Sequence, residues 1–214
     1  FLAKVAQIKV GNGLDEGIVY LQVTRGIADR DFPFPADAAP TVVMFTQDKA
    51  LLDTRAGREG VQVVTVADQR WSRRDIKSTG LLAQVLAKQD AVSKGCAEAW
   101  MVEDGLVTEG SSSTAFIITR AKAIVTRPLS NSILPGITRM AVLRLARERA
   151  LTLEERNFSV EEAYDAAEAF YTSASSLVTP VVSIDGKPVG DGSPGANTRK
   201  LRQLYIEFAR STAD

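Results

Sequence analysis

Runs of β-branched and aromatic residues outnumber helical stripes in this chain, and the two kinds of segment do not alternate. Strand character recurs at 18–24, 41–45, 61–66, 98–102, 105–108, 115–119, 123–126, 169–172 and 181–184. Helical periodicity is confined to four places. Leu81, Leu82, Val85, Leu86, Gln89 and Val92 lie mostly along one stripe, and residues 137–150 read as a second helix. Ser159 with Glu162 forms a capping box that starts a short helix over 160–167, and Leu201, Leu204, Tyr205 and Phe208 mark an amphipathic last helix. Without regular strand–helix–strand repetition the pattern favours an α+β fold or a barrel-like mixed sheet over a doubly wound one. Neither a Gly-x-Gly-x-x-Gly run nor a Walker loop is present.

Punctuation agrees with that division. Asp104-Gly105 and Asp185-Gly186 are tight-turn pairs, and Gly95 closes the first helix. Residues 31–40 carry three prolines and read as a loop, while 48–60 is charged and turn-rich, suited to a linker. We therefore expect a boundary near 48–56, with a small unit over 1–50 and a larger one over 54–214. The chain opens at Phe1 rather than Met and enters strand character almost at once, as expected of a chain whose upstream portion is absent.

The 214 residues contain no histidine, which removes Ser-His-Asp and Cys-His catalysis and imidazole-based zinc sites together. Proton handling would fall to Lys, Asp, Glu, Tyr or a cofactor. Lysine plus arginine balances aspartate plus glutamate at 26 each, which argues against nucleic acid as the main partner. The lone Cys96 allows no disulfide within the chain and fits a reducing compartment, so a cytoplasmic setting is expected. No apolar run approaches the roughly 20 residues that cross a bilayer.

Five segments could carry chemistry. Lys77 sits at the junction between a strand and the Leu81–Val92 helix, where a neutral amine can form a Schiff base with an aldehyde and later move protons. The same position describes a solvated lysine near a helix start. Glu109 ends a short strand before the cluster Ser111-Ser112-Ser113-Thr114; it can pair with a protonated heteroaromatic nitrogen, and the hydroxyls can anchor a polar ligand. A hairpin end with a flexible serine loop fits equally. Gly136, Ile137 and Thr138 enter the second helix, whose first amides can face an anion, although an ordinary helix start has the same residues. Thr172 to Ser176 offers either a second anion nest or a crossing between strands. Arg25 and Arg30 bracket a loop from which an arginine can grip a carboxylate, or simply salt-bridge at the surface. Trp71 and Trp100 read as core or cleft walls.

Taken in order, several blocks resemble the D-amino-acid transaminases of the fold-type IV pyridoxal-phosphate enzymes. They are Tyr20-Leu21-Gln22-Val23-Thr24-Arg25-Gly26, Asp75-Ile76-Lys77-Ser78 and Glu109-Gly110-Ser111-Ser112-Ser113, followed by Ile133-Leu134-Pro135-Gly136-Ile137-Thr138-Arg139 and Val178-Thr179-Pro180. The resemblance spans residue 18 to about 192. It implies a small α/β domain, represented by its last part, followed by a mixed-sheet pseudo-barrel that holds pyridoxal 5′-phosphate. It implies that Lys77 bonds the cofactor and shuttles protons, and that Glu109 faces the ring nitrogen. Leu134 would pack on the ring, while Ile137, Thr138, Ser173, Ala174 and Ser175 would hold the phosphate. Arg30 would meet the substrate carboxylate in the neighbouring subunit of a homodimer. Ala174 stands where the family usually has a threonine, and Phe32 where bacterial members place a histidine beside that arginine. The implied reaction is amino transfer between a D-amino acid, such as D-alanine or D-glutamate, and a 2-oxo acid. Branched-chain L-amino-acid transaminases, R-selective amine transaminases and aminodeoxychorismate lyase-like enzymes share the same lysine and glutamate, and an inactive fragment is the remaining alternative.

Overall fold

The computed structural model describes residues 2–211 and divides into two compact units, Phe1–Leu51 and Leu52–Asp214. In the first, a helix that periodicity did not announce, α1 (Leu2–Gly11), precedes strands β1 (Gly17–Thr24) and β2 (Thr41–Asp48). The strands pair antiparallel from Gly17↔Asp48 to Thr24↔Thr41, and Tyr20 stacks on Phe45 at 4.8 Å between ring centroids. The proline-bearing connection over residues 25–40 forms no regular element. None of the described residues of this unit is buried.

The second unit opens with α2 (Arg55–Glu59), a single turn inside the stretch that composition assigned to a linker; the Thr54 hydroxyl caps it by accepting the Gly57 amide at 3.0 Å. Then come β3 (Val61–Ala67), α3 (Leu82–Ser93), β4 (Glu98–Glu103), β5 (Leu106–Gly110), β6 (Thr114–Ile118) and β7 (Ile124–Thr126). After them follow α4 (Ile137–Glu148), β8 (Leu153–Glu155), α5 (Val160–Tyr164), β9 (Glu168–Ser173), β10 (Leu177–Ile184), β11 (Lys187–Pro188) and α6 (Ala196–Ser211). The mixed sheet runs β5-β4-β3-β10-β9-β6-β7-β8, with β11 beside β10. Its two ends meet: Leu106 bridges Ser159, the Val107 amide donates to Phe158 O at 3.1 Å, and the Val160 amide to Gly105 O at 3.2 Å. The sheet is thereby curled into the expected pseudo-barrel.

Strand alternation decides what fills it. Val63 of β3, Trp100 of β4, Val107 of β5, Ala115 and Ile117 of β6, Tyr171 of β9 and Ile184 of β10 point to one side and share a cluster with Phe158. Their neighbours in sequence point outward. Phe116, Ile118, Phe170 and Val178 pack against Val142 and Leu143 of α4 and Leu201 of α6. Val64, Ala99 and Met101 pack against Ala87 and Ala91 of α3. The small alanine face lets α3 lie close on the sheet, and the larger stripe predicted for it turns away: Leu82, Val85, Leu86 and Val92 are 54–73% exposed. Of the two tryptophans, Trp100 is core as expected, whereas Trp71 is exposed.

Phe158, 1% exposed, contacts the Trp100 ring edge-on at 6.2 Å, on the segment that closes the barrel. Phe158→Ala is expected to cost about 3–5 kcal/mol through the lost burial and the cavity left behind. Denaturant unfolding of the two proteins measures that difference.

Candidate active site

The carboxylate of Glu109 lies at the end of β5 with its side chain 5% exposed, and it gathers the site around it. Oε1 accepts from Arg70 Nη1 at 2.5 Å, and both oxygens accept from the Leu134 amide, at 3.1 and 3.2 Å. Glu109 and Leu134, singled out separately in the sequence, are thus joined directly. Among the described residues Oε2 accepts only from the Leu134 amide, and it keeps capacity for a further donor.

Arg70 was not anticipated. Its guanidinium spans two carboxylates, Glu109 on one side and Asp68 on the other, with Nε and Nη2 donating to Asp68 at 2.9 and 2.7 Å. The Asp68 side chain is fully buried and also accepts from the Thr108 hydroxyl at 2.7 Å. Arg74 lies alongside, in a two-bond contact with Glu103 at 2.7 and 2.9 Å, and its amide donates to Asn131 O at 2.8 Å. The loop leading to Lys77 is therefore fastened to β5 through Arg70 and to the 130–136 loop through Arg74. The only sequence trace of this network is an acid and an arginine two apart immediately after a strand, a pattern too common to stand out.

Burial works on the two carboxylates in opposite balance. For Glu109 desolvation is the largest influence and pushes its pKa up, with Arg70 and the Leu134 amide offsetting part of it. For Asp68 desolvation is again the largest single influence, but the hydrogen bonds from Arg70 and Thr108 together outweigh it and hold the pKa below the usual carboxylate value.

At the other end of the site, α4 starts at Gly136 without any side-chain cap, which leaves the Ile137 and Thr138 amides unpaired at a helix N-terminus. The Thr138 side chain is buried, its hydroxyl 3.4 Å from that of Tyr205. A Cβ on Gly136 would lie 3.1 Å from Thr114 Oγ1, so β6 begins against this helix start. Thr114 pairs in register with Thr172 of β9, whose buried Oγ1 has no partner among the described residues. Ser173 ends β9, and Ala174, Ser175 and Ser176 form the tight turn to β10. The segment connects the antiparallel strands β9 and β10, and Thr179 Oγ1 donates to Ser176 O at 2.8 Å across it. The serine hydroxyls after Glu109 are not presented to a ligand: those of Ser111, Ser112 and Ser113 all donate to Glu98.

Lys77 is exposed on its loop and touches no described residue through a hydrogen bond or ion pair. The preceding Arg73 is occupied by Asp75 at 2.9 Å through two bonds. Arg30 and Phe32 belong to the first unit, on the exposed 25–40 loop, where the Arg30 guanidinium lies 5.7 Å from the Phe32 ring centre and Arg25 stacks on Phe34 at 3.8 Å.

The donor set suits a phosphorylated heteroaromatic aldehyde: a buried acceptor at one end, uncapped amides with a hydroxyl at the other, and a free primary amine on a fastened loop. A sign follows for Asp68. Its pKa is lower in the fold than in the unfolded chain, so its contribution is present above the unfolded value near 4 and is lost as pH falls through the folded value. Asp68→Asn is expected to flatten the acid side of the stability–pH curve. At neutral pH it should cost about 3–5 kcal/mol by leaving Arg70 underpaired in a buried setting. Urea unfolding between pH 3 and 7 checks both.

Residues 1–184 match the sequence model of the family described as amino-transferase class IV. The D-alanine aminotransferase of Staphylococcus aureus (strain MSSA476) is 39% identical over 201 residues, covering 94% of this chain and 71% of the relative. That of Bacillus licheniformis is 41% identical over 187 residues, covering 87% and 65%. Among solved structures, the Escherichia coli branched-chain amino acid aminotransferase superposes with a TM-score of 0.86 at 25% identity, covering 94% of this chain and 68% of that one. A putative 4-amino-4-deoxychorismate lyase from Legionella pneumophila shares the fold at a TM-score of 0.83 and 19% identity, with 96% and 75% covered. With the family's sequence signature over most of its length, and its fold in the larger unit, the chain belongs to the class IV aminotransferases.

Proposed function

We propose that this aminotransferase transfers amino groups between a D-amino acid, such as D-alanine or D-glutamate, and a 2-oxo acid, with pyridoxal 5′-phosphate as cofactor. The observation that carries the reading is the buried Glu109 carboxylate, held by Arg70 and the Leu134 amide with acceptor capacity left on Oε2. The D-alanine aminotransferases, at 39–41% identity, support the D-amino acid over the branched-chain substrates of the structural neighbours, at 25%.

The cofactor, when bound, supplies the electron sink into which the Cα–H bond breaks. Everything else falls to the chain. Lys77 Nζ, which has no hydrogen-bond or ion-pair partner among the described residues, would take the proton from the substrate Cα and deliver it to the carbon that carried the cofactor's aldehyde. Glu109 holds a proton at the ring nitrogen. Burial raises the Glu109 pKa and makes its carboxylate a stronger base than usual, while Arg70 and the Leu134 amide offset part of that rise. Each pKa unit gained by the ring nitrogen is about 1.36 kcal/mol of preference for its protonated state. Leu134 would pack on the ring. The Ile137 and Thr138 amides, the Thr138 hydroxyl and residues Ser173, Ala174 and Ser175 would hold the phosphate; at Ala174 that contact would fall to the backbone or to Ser175.

Residues 54–214 are proposed as the cofactor-holding domain, and 1–50 as part of the small domain that lends Arg30 and Phe32 to substrate binding. In the proposed homodimer Arg30 reaches the neighbouring active site, and the outward stripe of α3 offers apolar surface for a second copy. Phe32, where the family resemblance would place a histidine, argues for a substrate preference that departs from the standard D-alanine and D-glutamate pattern. The compartment proposed is the cytoplasm, supported by the lone Cys96; no described helix is long and apolar enough to cross a membrane.

Lys77→Ala (K77A) should abolish borohydride-stable attachment of pyridoxal phosphate, read as the intact mass after reduction. Unchanged attachment would assign the lysine wrongly. Paired assays with D-alanine, L-alanine, D-glutamate, L-leucine and 1-phenylethylamine separate the substrate classes. Arg30→Ala should raise KM for the carboxylate-bearing substrates and leave the simple amine nearly unchanged.

A further inference from the structure

Glu98 opens β4 with 1% of its surface exposed, yet it belongs to no part of the machinery described so far. Its carboxylate is saturated from one direction. Oε1 accepts from the Ser111 hydroxyl and the Ala99 amide, the latter at 2.9 Å, and Oε2 accepts from Ser112 and Ser113 at 2.9 and 3.0 Å. The nearest cation, Lys88 Nζ at 3.4 Å from Oε1, is on a side chain 39% exposed. A buried carboxylate with mainly neutral donors is expensive unless its geometry is kept, so the three hydroxyls and the acid fix one another.

The turn over residues 110–113 is one of two connections between the ends of the candidate site; the other runs from the Leu134 amide, which donates to Glu109, through Gly136 into α4. Glu109 precedes the turn and Thr114, against the α4 start, follows it. The turn folds tightly: the Gly110 amide donates to Ser113 O at 2.7 Å, the Ser111 amide to Ala99 O at 2.9 Å, and a Cβ on Gly110 would lie 2.0 Å from Ser113 Oγ. Only glycine fits there because the serine turn comes back over it.

We infer that Glu98 is a positioning residue: through Ser111, Ser112 and Ser113 it sets the distance between the ring-nitrogen acceptor Glu109 and the phosphate-binding start of α4. The inference rests on the pyridoxal-phosphate reading of the site. It makes the serine run a spacer clamped from behind rather than a ligand surface. A ligand gripped at both ends feels an error in that spacing, and one gripped at a single end does not.

The test is Glu98→Gln (E98Q), which keeps volume and one acceptor oxygen, alongside Ser112→Ala/Ser113→Ala. Absorbance titrations give dissociation constants for pyridoxal phosphate and for pyridoxal, which lacks the phosphate anchor, and hydrogen exchange of the ligand-free protein reports the 110–114 amides. The expected result is a loss of pyridoxal-phosphate affinity of about tenfold, about 1.4 kcal/mol, with pyridoxal affinity changed less than twofold and faster exchange confined to the turn. The serine variant should reproduce the pattern and add little when combined with E98Q. Equal losses for both aldehydes, exchange quickening throughout the sheet, or a pyridoxal-phosphate constant within twofold of wild type would each overturn the assignment. Borohydride trapping on wild-type protein runs in parallel: its failure removes the cofactor reading itself, whereas its success with an unchanged E98Q constant removes only the role given to Glu98.

Discussion

One guanidinium holds the centre of this molecule. Arg70 lies between Asp68 and Glu109, all three side chains at most 5% exposed, and its guanidinium favours the ionised form of both carboxylates against the cost of burial. Because Arg70 follows β3 and Glu109 ends β5, the ion triplet staples a loop to a strand on the far side of β4. The Leu134 amide then brings in the connection that leads to α4. An apolar replacement of similar volume could equal the triplet in stability, but it would leave the site with no charged acceptor. The cost of burying three charges is thus tied to what the site is able to bind.

The curled sheet turns that local cluster into a rigid frame. Trp100, Phe158, Ile117 and Tyr171 fill the inside, while α3, α4 and α6 press on the outside, so both faces of β4, β6 and β9 are packed. Burial pushes the Tyr171 hydroxyl up to about 12, which keeps it neutral inside the barrel at any ordinary pH. The groups proposed for the chemistry sit instead where strands end and loops begin: Glu109 at the close of β5 and Lys77 on the loop between β3 and α3, proposed to handle protons, and the uncapped amides at the opening of α4, proposed to hold an anion. A stiff scaffold with reactive groups at its ends lets the lysine move without disturbing the rest.

Local signals in the sequence carried much of this. Asp104-Gly105 and Asp185-Gly186 both take positive φ in their turns, and Ser159 accepts the Glu162 amide at 3.1 Å as a capping box should. The curled mixed sheet followed from strand runs that do not alternate with helices. What stayed illegible depends on contacts between distant residues. Periodicity gives a stripe but not its direction, so the leucines of α3 could be found without revealing that the alanines face the sheet. Glu98 reads as a stray charge in a strand until three serines arrive from 13 to 15 residues away. Asp68 and Arg70 acquire meaning only when β5 lies alongside. The serine run was legible as hydroxyls but not as hydroxyls already spoken for.

The placement of β3 has a kinetic side. It pairs in parallel with β4, close by in sequence, and with β10, so that the Asp185 side chain reaches the Thr65 amide across 120 residues at 2.7 Å. During synthesis β3 therefore emerges long before its second neighbour exists, and its flank stays open until more than half of the larger unit has been made. Loop-closure entropy of that order slows the final zipping of the sheet, and an unpaired parallel strand is a surface on which other nascent chains can template. Productive folding of this enzyme will depend on how quickly the C-terminal third is delivered.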